Sequence, residues 1–380
     1  MKNIITIYLI LFLINSFNCS FQSKIFNRMN KEKNGENLII SPLSIFQALS
    51  LAANGAKEDT LSEMIDLLES PSIDDLNQIN YEIISAINKF KTIDIANAVM
   101  TRFTPIQEFT DIAEQYCAPL EPLESAEQVN NWCSEKTHGK IDKILDYLSP
   151  ETVMIILNAV YFKDEWMLQF EENVTKDLPF YNLGTTETNV KTMSQIEYFN
   201  YYEDKKVQAI EMRFMEDAMT ALIILPTEGI DINKYINTLS TSTDEYNKII
   251  DGLDYAKVHI QIPKFEVRFS ERLNEILNDL GMYNAFNSNF ADFTGLRKEG
   301  GLFISSVIHK TYLKVNELGT EAAAVTAISY DGASLPGQEE KIYDMKVNRP
   351  FLFLIKNDRL PKGYDLVFMA KIEKIEESGE

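Results

Sequence analysis

Residues 315–334 read VNELGTEAAAVTAISYDGAS, and the interpretation of the whole chain depends on what this stretch can do. The run Ala322–Ala324 favours a helix on local propensity, because alanine loses no side-chain entropy in a helix. Gly319 lies before the run, Gly332 and Pro336 follow it, and no stripe of large apolar residues at helical spacing lies between them. The flanking residues therefore argue against a helix.

Read at the period of two that a strand has, the same stretch separates into two faces. One face would carry only small or apolar side chains: Thr320, Ala322, Ala324, Thr326, Ile328 and Tyr330. The other would carry both carboxylates: Glu321, Ala323, Val325, Ala327, Ser329 and Asp331. The segment is thus compatible with an exposed loop and also with a new strand that enters a sheet. A plain surface loop of small residues is the alternative.

Composition bounds the class of protein. The chain has 380 residues, enough for one large domain or two ordinary ones. Its 45% hydrophobic and 24% charged residues are typical of a soluble globular protein. A net charge of −21 argues against nucleic acid as a partner, because binding to phosphates requires basic patches. An acidic surface favours encounters with cationic partners instead.

The first twenty residues differ from the rest of the chain. Lys2 precedes the apolar run Ile4–Ile14, and Asn15–Ser20 is polar and small. Such a run suits a signal peptide at residues 1–20, with cleavage near residues 19–20, and is too short to span a membrane. This predicts a secreted protein in which Asn173, in the sequon Asn-Val-Thr, is a glycosylation site. A buried N-terminal helix in an intracellular protein is the alternative.

The cysteines and acidic clusters suggest no cofactor or metal. Three cysteines form neither a disulfide framework nor a zinc site, and Cys117 and Cys133 could pair or stay free. The acidic clusters lack the spacing of a calcium loop and are read as solvated faces.

Helical patterns come early in the chain and strand patterns come late. Helices are predicted at Phe21–Asn30, Leu43–Ala53, Leu61–Leu68 with Thr60 as its cap, Asp74–Phe90, Ile106–Tyr116, Ala126–Thr137, Ile141–Leu145 and Ser270–Leu280. Strands are predicted at Leu38–Ile40, Ile93–Met100, Val153–Phe162, Val207–Arg213, Met219–Leu225, Val258–Ile262, Phe265–Phe269, Leu302–Ile308, Lys310–Val315, Met345–Val347, Pro350–Ile355 and Tyr364–Ile372. With no repeat or linker, this order predicts one α+β domain over residues 21–380.

The three histidines argue against an enzyme. His138 precedes Gly139 in a turn, His259 alternates with apolar residues in a strand, and His309 follows the predicted strand Leu302–Ile308. The sequence contains no Gly-x-Ser-x-Gly elbow for a serine nucleophile, and no two histidines have the spacing of zinc ligands.

The segment Asn316–Ala324 closely resembles the hinge of the reactive-centre loop of serpins, a family of mostly inhibitory proteins. Further segments resemble family motifs in the same order along the chain: Ile40–Ile45, Asn158–Lys163 followed by Trp166 and Phe170, Ile262–Phe265, Leu280–Phe286, Ala291–Gly295, Asn348–Phe353 and Val367–Ala370. The resemblance implies the serpin fold: early helices around a large central β-sheet, further sheets, and an exposed reactive-centre loop at about residues 317–342. Asp164 and Ala370 stand where the family usually has glycine, and Leu318 where it often has Glu or Lys.

The resemblance also implies a function. A serpin of this type is a suicide substrate: a serine protease cleaves the loop, an acyl-enzyme forms, and the loop inserts into the central sheet. The implied hinge is Glu317, Gly319, Thr320, Glu321, Ala322, Ala323 and Ala324. Counting the family's usual seventeen residues from Glu317 places the reactive bond at Ala333–Ser334, with Leu335 and Tyr330 as alternative attack sites.

Two structural clusters follow from the same resemblance. Ser41, Ser44, Asn158 and His309 would form a "shutter" of hydrogen bonds beneath the central sheet, where buried polar groups must satisfy one another. Trp166 would lie at the top of that sheet, where insertion begins.

The implied partner is an elastase-like or chymotrypsin-like (cathepsin G-like) protease, bound covalently by a monomer. Heparin binding is not expected, because Asp74–Phe90 carries few lysines. A non-inhibitory carrier and an inhibitor of cysteine proteases are the alternatives.

Overall fold

The computed structural model describes residues 20–90, 92–140, 143–216, 218–320 and 341–377. The helices of these ranges are α1 Phe21–Glu32, α2 Pro42–Ala53, α3 Glu58–Leu67, α4 Ile73–Ile87, α5 Gln107–Gln115, α6 Ala126–Lys136, α7 Ile232–Thr241, α8 Thr243–Asp251 and α9 Asn274–Asp279. None of these described helices is long and apolar enough to cross a membrane.

Strands make up much of the remaining described chain. They are β1 Leu38–Ile40, β2 Ile93–Thr101, β3 Leu120–Pro122, β4 Met154–Phe162, β5 Asp164–Glu165, β6 Lys176–Asn182, β7 Thr186–Glu203, β8 Val207–Arg213, β9 Met219–Pro226, β10 Asp254–Pro263, β11 Phe265–Arg272, β12 Ser306–Val315, β13 Gly319–Thr320, β14 Tyr343–Lys346, β15 Phe351–Asn357 and β16 Leu366–Ile372. The predicted α+β class, with helices early and strands late, is confirmed.

The central sheet has the strand order β11-β12-β4-β2-β3 among the described residues. Every residue of β4 is buried, as its continuous apolar sequence predicts. One face of β4 lies on the main core. The opposite face places Ile155, Leu157 and Ala159 in a second cluster with Val129 and Trp132 of α6. The sheet is therefore enclosed between helices at the strand that carries Asn158.

Helix α2 fills the space beneath this sheet, and the sequence explains where it begins. The Ser41 hydroxyl accepts a hydrogen bond from the Ser44 N–H, and Pro42 occupies the first turn, where its missing N–H costs nothing. All twelve residues of α2 are buried. Ser41 and Ser44 are thereby fixed at the end of α2 that faces the sheet.

A second sheet of nine described strands runs in the order β1-β16-β15-β9-β8-β7-β10-β14, with β6 paired to β7. Its edge strand β14 begins at Tyr343, shortly after residues 321–340, and runs parallel to β10. The short strands β13 and β5 pair separately, just beyond the end of β4. The chain on each side of residues 321–340 thus forms a strand that pairs with another strand of the fold.

Several predicted elements are wrong. Residues 143–145 are not helical, because the Asn130 side chain accepts the N–H groups of Ile144 and Leu145, at 2.7 and 2.9 Å, that a helix would use. Thr60 does not cap α3 but lies inside it. Its hydroxyl accepts the Asp292 N–H at 3.0 Å, and the helix starts earlier with the acidic pair Glu58 and Asp59.

Two further boundaries also differ. The predicted strand at Leu302–Ile308 begins only at Ser306 and joins the predicted strand at Lys310–Val315 in one strand, β12. His309 therefore lies inside a strand instead of following one. Strand β11 extends to Arg272, which shortens the predicted helix at Ser270–Leu280 to α9. Helices α7 and α8 and the long hairpin of β6 and β7 are not predicted from the sequence.

Candidate functional site

The candidate site is the seam between β4 and β12, which are parallel neighbours. They pair from Ile155 with Ser306 to Tyr161 with Tyr312. Beyond Tyr312, β12 runs on to Val315, while β4 leads through Lys163 into β5, which pairs with β13 instead. The seam therefore opens at this end, which we call its entrance, and an additional strand could begin there.

A hydrogen-bonded cluster crosses the seam at mid-height. The Asn158 Oδ1 on β4 accepts from the Ser44 hydroxyl at 2.7 Å and from Nδ1 of His309 on β12 at 2.5 Å. The Asn158 amide nitrogen donates to Oδ1 of Asn97 on β2 at 2.5 Å. The backbone N–H of Ser41 donates to Nε2 of His309 at 3.1 Å. The four residues predicted for the shutter are thus brought together, and Asn97 joins them.

The backbone donor determines the state of His309. Because Nε2 accepts from the Ser41 N–H, the proton of the neutral ring lies on Nδ1 and points to Asn158. Complete burial lowers the pKa of His309 to about 3, so the ring stays neutral at physiological pH. Acid below about pH 6.5 therefore favours any state in which this ring reaches water.

Trp166 packs at the entrance of the seam. Its ring stacks on Phe214, with the centroids 4.4 Å apart, and meets Phe353 edge-on. The indole N–H donates to the Asn316 carbonyl at 3.0 Å, and the Trp166 backbone N–H donates to the Leu318 carbonyl at 2.8 Å. The tryptophan thus binds the chain that leads into the hinge.

Glu317 is held by two side chains from other elements. Its carboxylate, only 7% exposed, accepts from the Thr175 hydroxyl at 2.8 Å and pairs with the Lys264 ammonium at 2.8 Å. Burial alone would raise the pKa of Glu317, but the hydrogen bonds from Lys264 and Thr175 outweigh it and lower the pKa. The ionised carboxylate therefore stabilises the fold above pH 4.5, and this contribution is lost as the pH falls below that value.

We expect Glu317→Gln to destabilise the native protein by about 2 kcal/mol at pH 7, because it leaves Lys264 without its buried partner. For a chain of this length, that is a fall of about 3 °C in the thermal midpoint. The exposed pair of Lys191 and Asp177, at 2.7 Å, supplies the control: Asp177→Asn should shift the midpoint by less than about 1 °C. Equal shifts for both variants would contradict the assigned role of Glu317.

The hinge strand β13 allows only a narrow choice of side chains. Gly319 has φ of +143°, and a Cβ there would lie 2.2 Å from the Asp164 carbonyl oxygen. Thr320 is fully buried, and its hydroxyl accepts the Asp164 N–H at 3.0 Å and donates to the Asp164 carbonyl at 3.2 Å. Glycine followed by a small hydroxyl residue is what this pairing needs.

The other predicted site residues are not part of this cluster. Glu321, Ala322, Ala323, Ala324, Ala333 and Ser334, with the alternatives Tyr330 and Leu335, lie outside the described residues. Asn173 lies exposed in a short 3-10 turn, and Thr175 of its sequon is the residue that binds Glu317. Cys117 and Cys133 are free thiols, and burial raises the pKa of Cys133 to about 12.

His259 has contacts that the sequence did not suggest. Its Nε2 lies 3.0 Å from the Ser194 hydroxyl, and its Nδ1 lies 3.0 Å from an Asp344 carboxylate oxygen, the atom order of a catalytic triad. Ser194 lies in the middle of β7, opposite Gln261, and not at a strained strand-to-helix turn. Asp344 also pairs with Lys346 at 3.0 Å. These contacts link β7, β10 and β14.

Sequence reasoning missed Asn97 and Lys264. Asn97 had a usable signal, because an amide inside an apolar strand must find a partner. Lys264 had none, because its pairing with Glu317 depends on how β11 and β12 pack.

The chain is similar to known proteins over most of its length. A family model described as "Serpin (serine protease inhibitor)" matches residues 16–374. The leukocyte elastase inhibitor of Xenopus laevis is 32% identical over 355 residues, which cover 88% of this chain and 93% of that protein. The crystal structure of the thermophilic serpin tengpin in the native state is 31% identical with a TM-score of 0.84, covering 95% of this chain and 94% of that one. Thyroxine-binding globulin in complex with thyroxine is 25% identical with a TM-score of 0.83, covering 95% of this chain and 99% of that one.

Proposed function

The chain belongs to the serpin family, and from that premise we propose that it is an inhibitor that traps a serine protease by loop cleavage and insertion. The observation that carries the proposal is the pairing of the hinge strand β13 with β5 at the entrance of the seam between β4 and β12. An additional strand is already begun there. Cleavage of the following residues would free them to continue it.

The register of β13 specifies how that strand would continue. Gly319 pairs with Glu165 and Thr320 with Asp164 in antiparallel orientation, so each later residue moves one place back along β4. Continued in the same register, Ala322 would lie opposite Phe162 and Tyr330 opposite Met154. Residues 321–330 would therefore cover the whole of β4.

The register also specifies which side chains face inward. Residues directly opposite in an antiparallel pair lie on the same face. Thr320, Ala322, Ala324, Thr326, Ile328 and Tyr330 would therefore share the face of Phe162, Val160, Ile156 and Met154, which lies on the main core. Glu321 would lie on the opposite face, next to the exposed Lys163. After insertion, small or apolar residues would thus face the core, and Glu321 would lie beside the ammonium group of Lys163.

Insertion would break one hydrogen bond of the shutter cluster. The Asn158–His309 hydrogen bond joins β4 to β12, and a strand placed between them would break it. In the register above, Thr326 would lie opposite Asn158 after insertion. Its hydroxyl can both donate and accept, so it can replace the lost partner of either side chain.

The proposed reactive bond suits this geometry. Cleavage between Ala333 and Ser334 would leave three residues beyond Tyr330, the last residue opposite β4. The acylated Ala333 would then be carried beyond Met154, which is the end of β4 farthest from the entrance of the seam. Cleavage at Tyr330 would leave the tether about 10 Å shorter, which favours release of the protease.

An elastase-like protease is the proposed target. Ala333 is small and suits a shallow apolar pocket, and no Lys or Arg occurs in Ala322–Gln338 for a trypsin-like enzyme. The relative from Xenopus laevis is called a leukocyte elastase inhibitor. The net charge of −21 would speed encounter with a cationic protease at low salt.

The test is to mix the protein with elastase-like, chymotrypsin-like and trypsin-like proteases and separate the products on a denaturing gel. We expect a covalent, gel-stable complex, formed fastest with the elastase-like enzyme, and a released peptide that begins at Ser334 by mass spectrometry. A peptide beginning at Asp331 or Pro336 would move the reactive bond to Tyr330 or Leu335. Cleavage without any complex, with all three enzymes, would contradict inhibition.

A carrier function is the second candidate, favoured by the likeness to thyroxine-binding globulin in complex with thyroxine. The small hinge residues Thr320 and Ala322–Ala324 argue against it, since non-inhibitory serpins tend to carry bulky or charged residues there. Adding a papain-like protease to the panel tests the remaining alternative, an inhibitor of cysteine proteases.

We also propose that the protein is secreted and glycosylated at the exposed Asn173, and mass analysis of the protein from its native source tests both.

A further inference from the structure

Asp164 occupies an unusual position at the entrance of the seam. It is the first residue of β5, it pairs with Thr320 of the hinge strand, and it is only 6% exposed. One carboxylate oxygen accepts the Glu165 N–H at 2.8 Å and the other accepts the Glu216 N–H at 3.3 Å. Asp164 therefore contacts the hinge strand through its backbone and the turn between β8 and β9 through its carboxylate.

Nothing in the described structure neutralises this carboxylate. Among the described residues, no Lys or Arg side chain forms an ion pair with Asp164. The charged groups that face it are Glu165 from its own strand and Glu216 from the turn, and Glu216 has Arg359 4.0 Å away. The hinge strand contributes only Gly319 and Thr320. A buried carboxylate between two acidic neighbours is unfavourable when ionised.

We propose that Asp164 is a positioning residue for loop insertion: its ionised carboxylate, buried without a cation between the hinge strand and the turn after β8, keeps the entrance of the seam ready to open. Opening here means that β13 and β5 separate transiently, so that the residues after Thr320 can enter the seam, and that the two strands then pair again in the same register. During the separation the carboxylate leaves the Glu216 N–H. In the open state the carboxylate reaches water, and the cost of burying its charge is removed. The consequence for inhibition rests on the proposed function, whereas the opening itself does not.

The direction of the pH dependence follows from linkage. Burial, reinforced by the charges of Glu216 and Glu165, outweighs the two backbone hydrogen bonds and raises the pKa of Asp164 to about 6 from a usual 3.8. The closed entrance is thus fully stabilised in acid and loses stability as the pH rises through about 6. With a normal pKa in the open state, opening should become about tenfold more frequent between pH 5 and pH 7.5.

Hydrogen exchange of the intact protein measures this opening without any protease. The reporting amides are those of Asp164, Trp166 and Phe170, which donate to Thr320, Leu318 and Glu317 across the entrance. After correction for intrinsic exchange rates, we expect their protection to fall about tenfold from pH 5 to pH 7.5. The carboxylate of Glu317, whose pKa is lowered, does not titrate in this range.

The shutter cluster supplies an internal reference. Amides of β4 near Asn158 lie beside His309, whose buried ring favours opening in acid and not in base. Their protection should therefore be unchanged or should rise over the same pH range. A parallel fall at both places would indicate a general loss of stability and would contradict a local role for Asp164.

Substitutions distinguish the effect of Asp164 on the pH dependence from the effects of Glu165 and Glu216. Asp164→Asn and Asp164→Ser both remove the charge, and either should abolish the tenfold change while raising protection at pH 7.5. Glu216→Gln should keep the change and move its midpoint to lower pH, since one repelling charge is gone. Loss of the change in Glu165→Gln but not in the Asp164 variants would overturn the proposal, as would pH-independent protection in the wild type.

A protease then tests the consequence for inhibition. Because the closed entrance should be more stable in Asp164→Asn, insertion should be slower and more of the protein should be cleaved without trapping at pH 7.5. If no complex forms even with the wild type, the proposed function fails while the exchange result stands. If complexes form but exchange is pH-independent, the role of Asp164 fails alone.

Discussion

The variant Ala322→Arg should be cleaved by the target protease as an ordinary substrate and should form almost no covalent complex. If the inserted loop continues the register of Gly319 and Thr320, residue 322 would lie opposite Phe162, a fully buried residue on the core face of β4. An arginine inserted there would be buried without an acidic partner, which costs about 3–5 kcal/mol at the second inward position. Insertion would slow by more than a hundredfold, and deacylation would win.

Two controls make this result specific. Glu321→Arg adds the same side chain one residue earlier, on the opposite face beside the exposed Lys163, and should keep most of the complex. Ala322→Val keeps the position apolar and should also form complexes. Thr320→Arg is a weaker test, because Asp164 lies directly opposite and offers the arginine a carboxylate. Wild-type complex yield from Ala322→Arg, measured on denaturing gels, would contradict insertion in this register.

The sequence predicts the parts of this site that local pattern determines. The period of two in residues 320–331 separates the same faces that the register of Gly319 and Thr320 would select if it continued. The apolar run of β4 correctly predicts a strand buried on both sides. Ser41 is the N-cap of α2, and a serine followed by proline is a local signal for the start of a helix. The shutter residues were identified by resemblance, and the structure brings them together.

The features of the fold and the site that the sequence did not predict depend on contacts between distant segments. Glu317 and Lys264 are 53 residues apart, and only the antiparallel packing of β11 and β12 brings them within 2.8 Å. The failed helix at residues 143–145 is a similar case, because the competing acceptor is the side chain of Asn130 on another helix. Asp164 was recognised as a departure from the family, but its burial next to two glutamates appears only in three dimensions.

Cleavage of residues 321–340 should stabilise the protein, whereas a nick in a surface loop usually does not. In the native structure the seam is filled by direct pairing of β4 with β12, and the described hinge strand comprises Gly319 and Thr320. Insertion of residues 321–330 would form about ten new ladder hydrogen bonds at about 1 kcal/mol each and would bury the inward side chains as well. The thermal midpoint should therefore rise by more than about 10 °C.

Thermal melts before and after limited proteolysis near Ala333, with the cut confirmed by mass spectrometry, measure this change. The same nick in Ala322→Arg is the matched control: the bond is cut equally, but the buried arginine prevents insertion, so the midpoint should rise little or not at all. Far-ultraviolet circular dichroism should show more strand after cleavage of the wild type and no gain in the variant. If the nicked wild type melts at or below the temperature of the intact protein, the seam between β4 and β12 does not accept the loop. Inhibition by insertion would then be wrong for this chain, even if proteases cut the loop at the proposed bond, because the free energy that drives trapping would be missing.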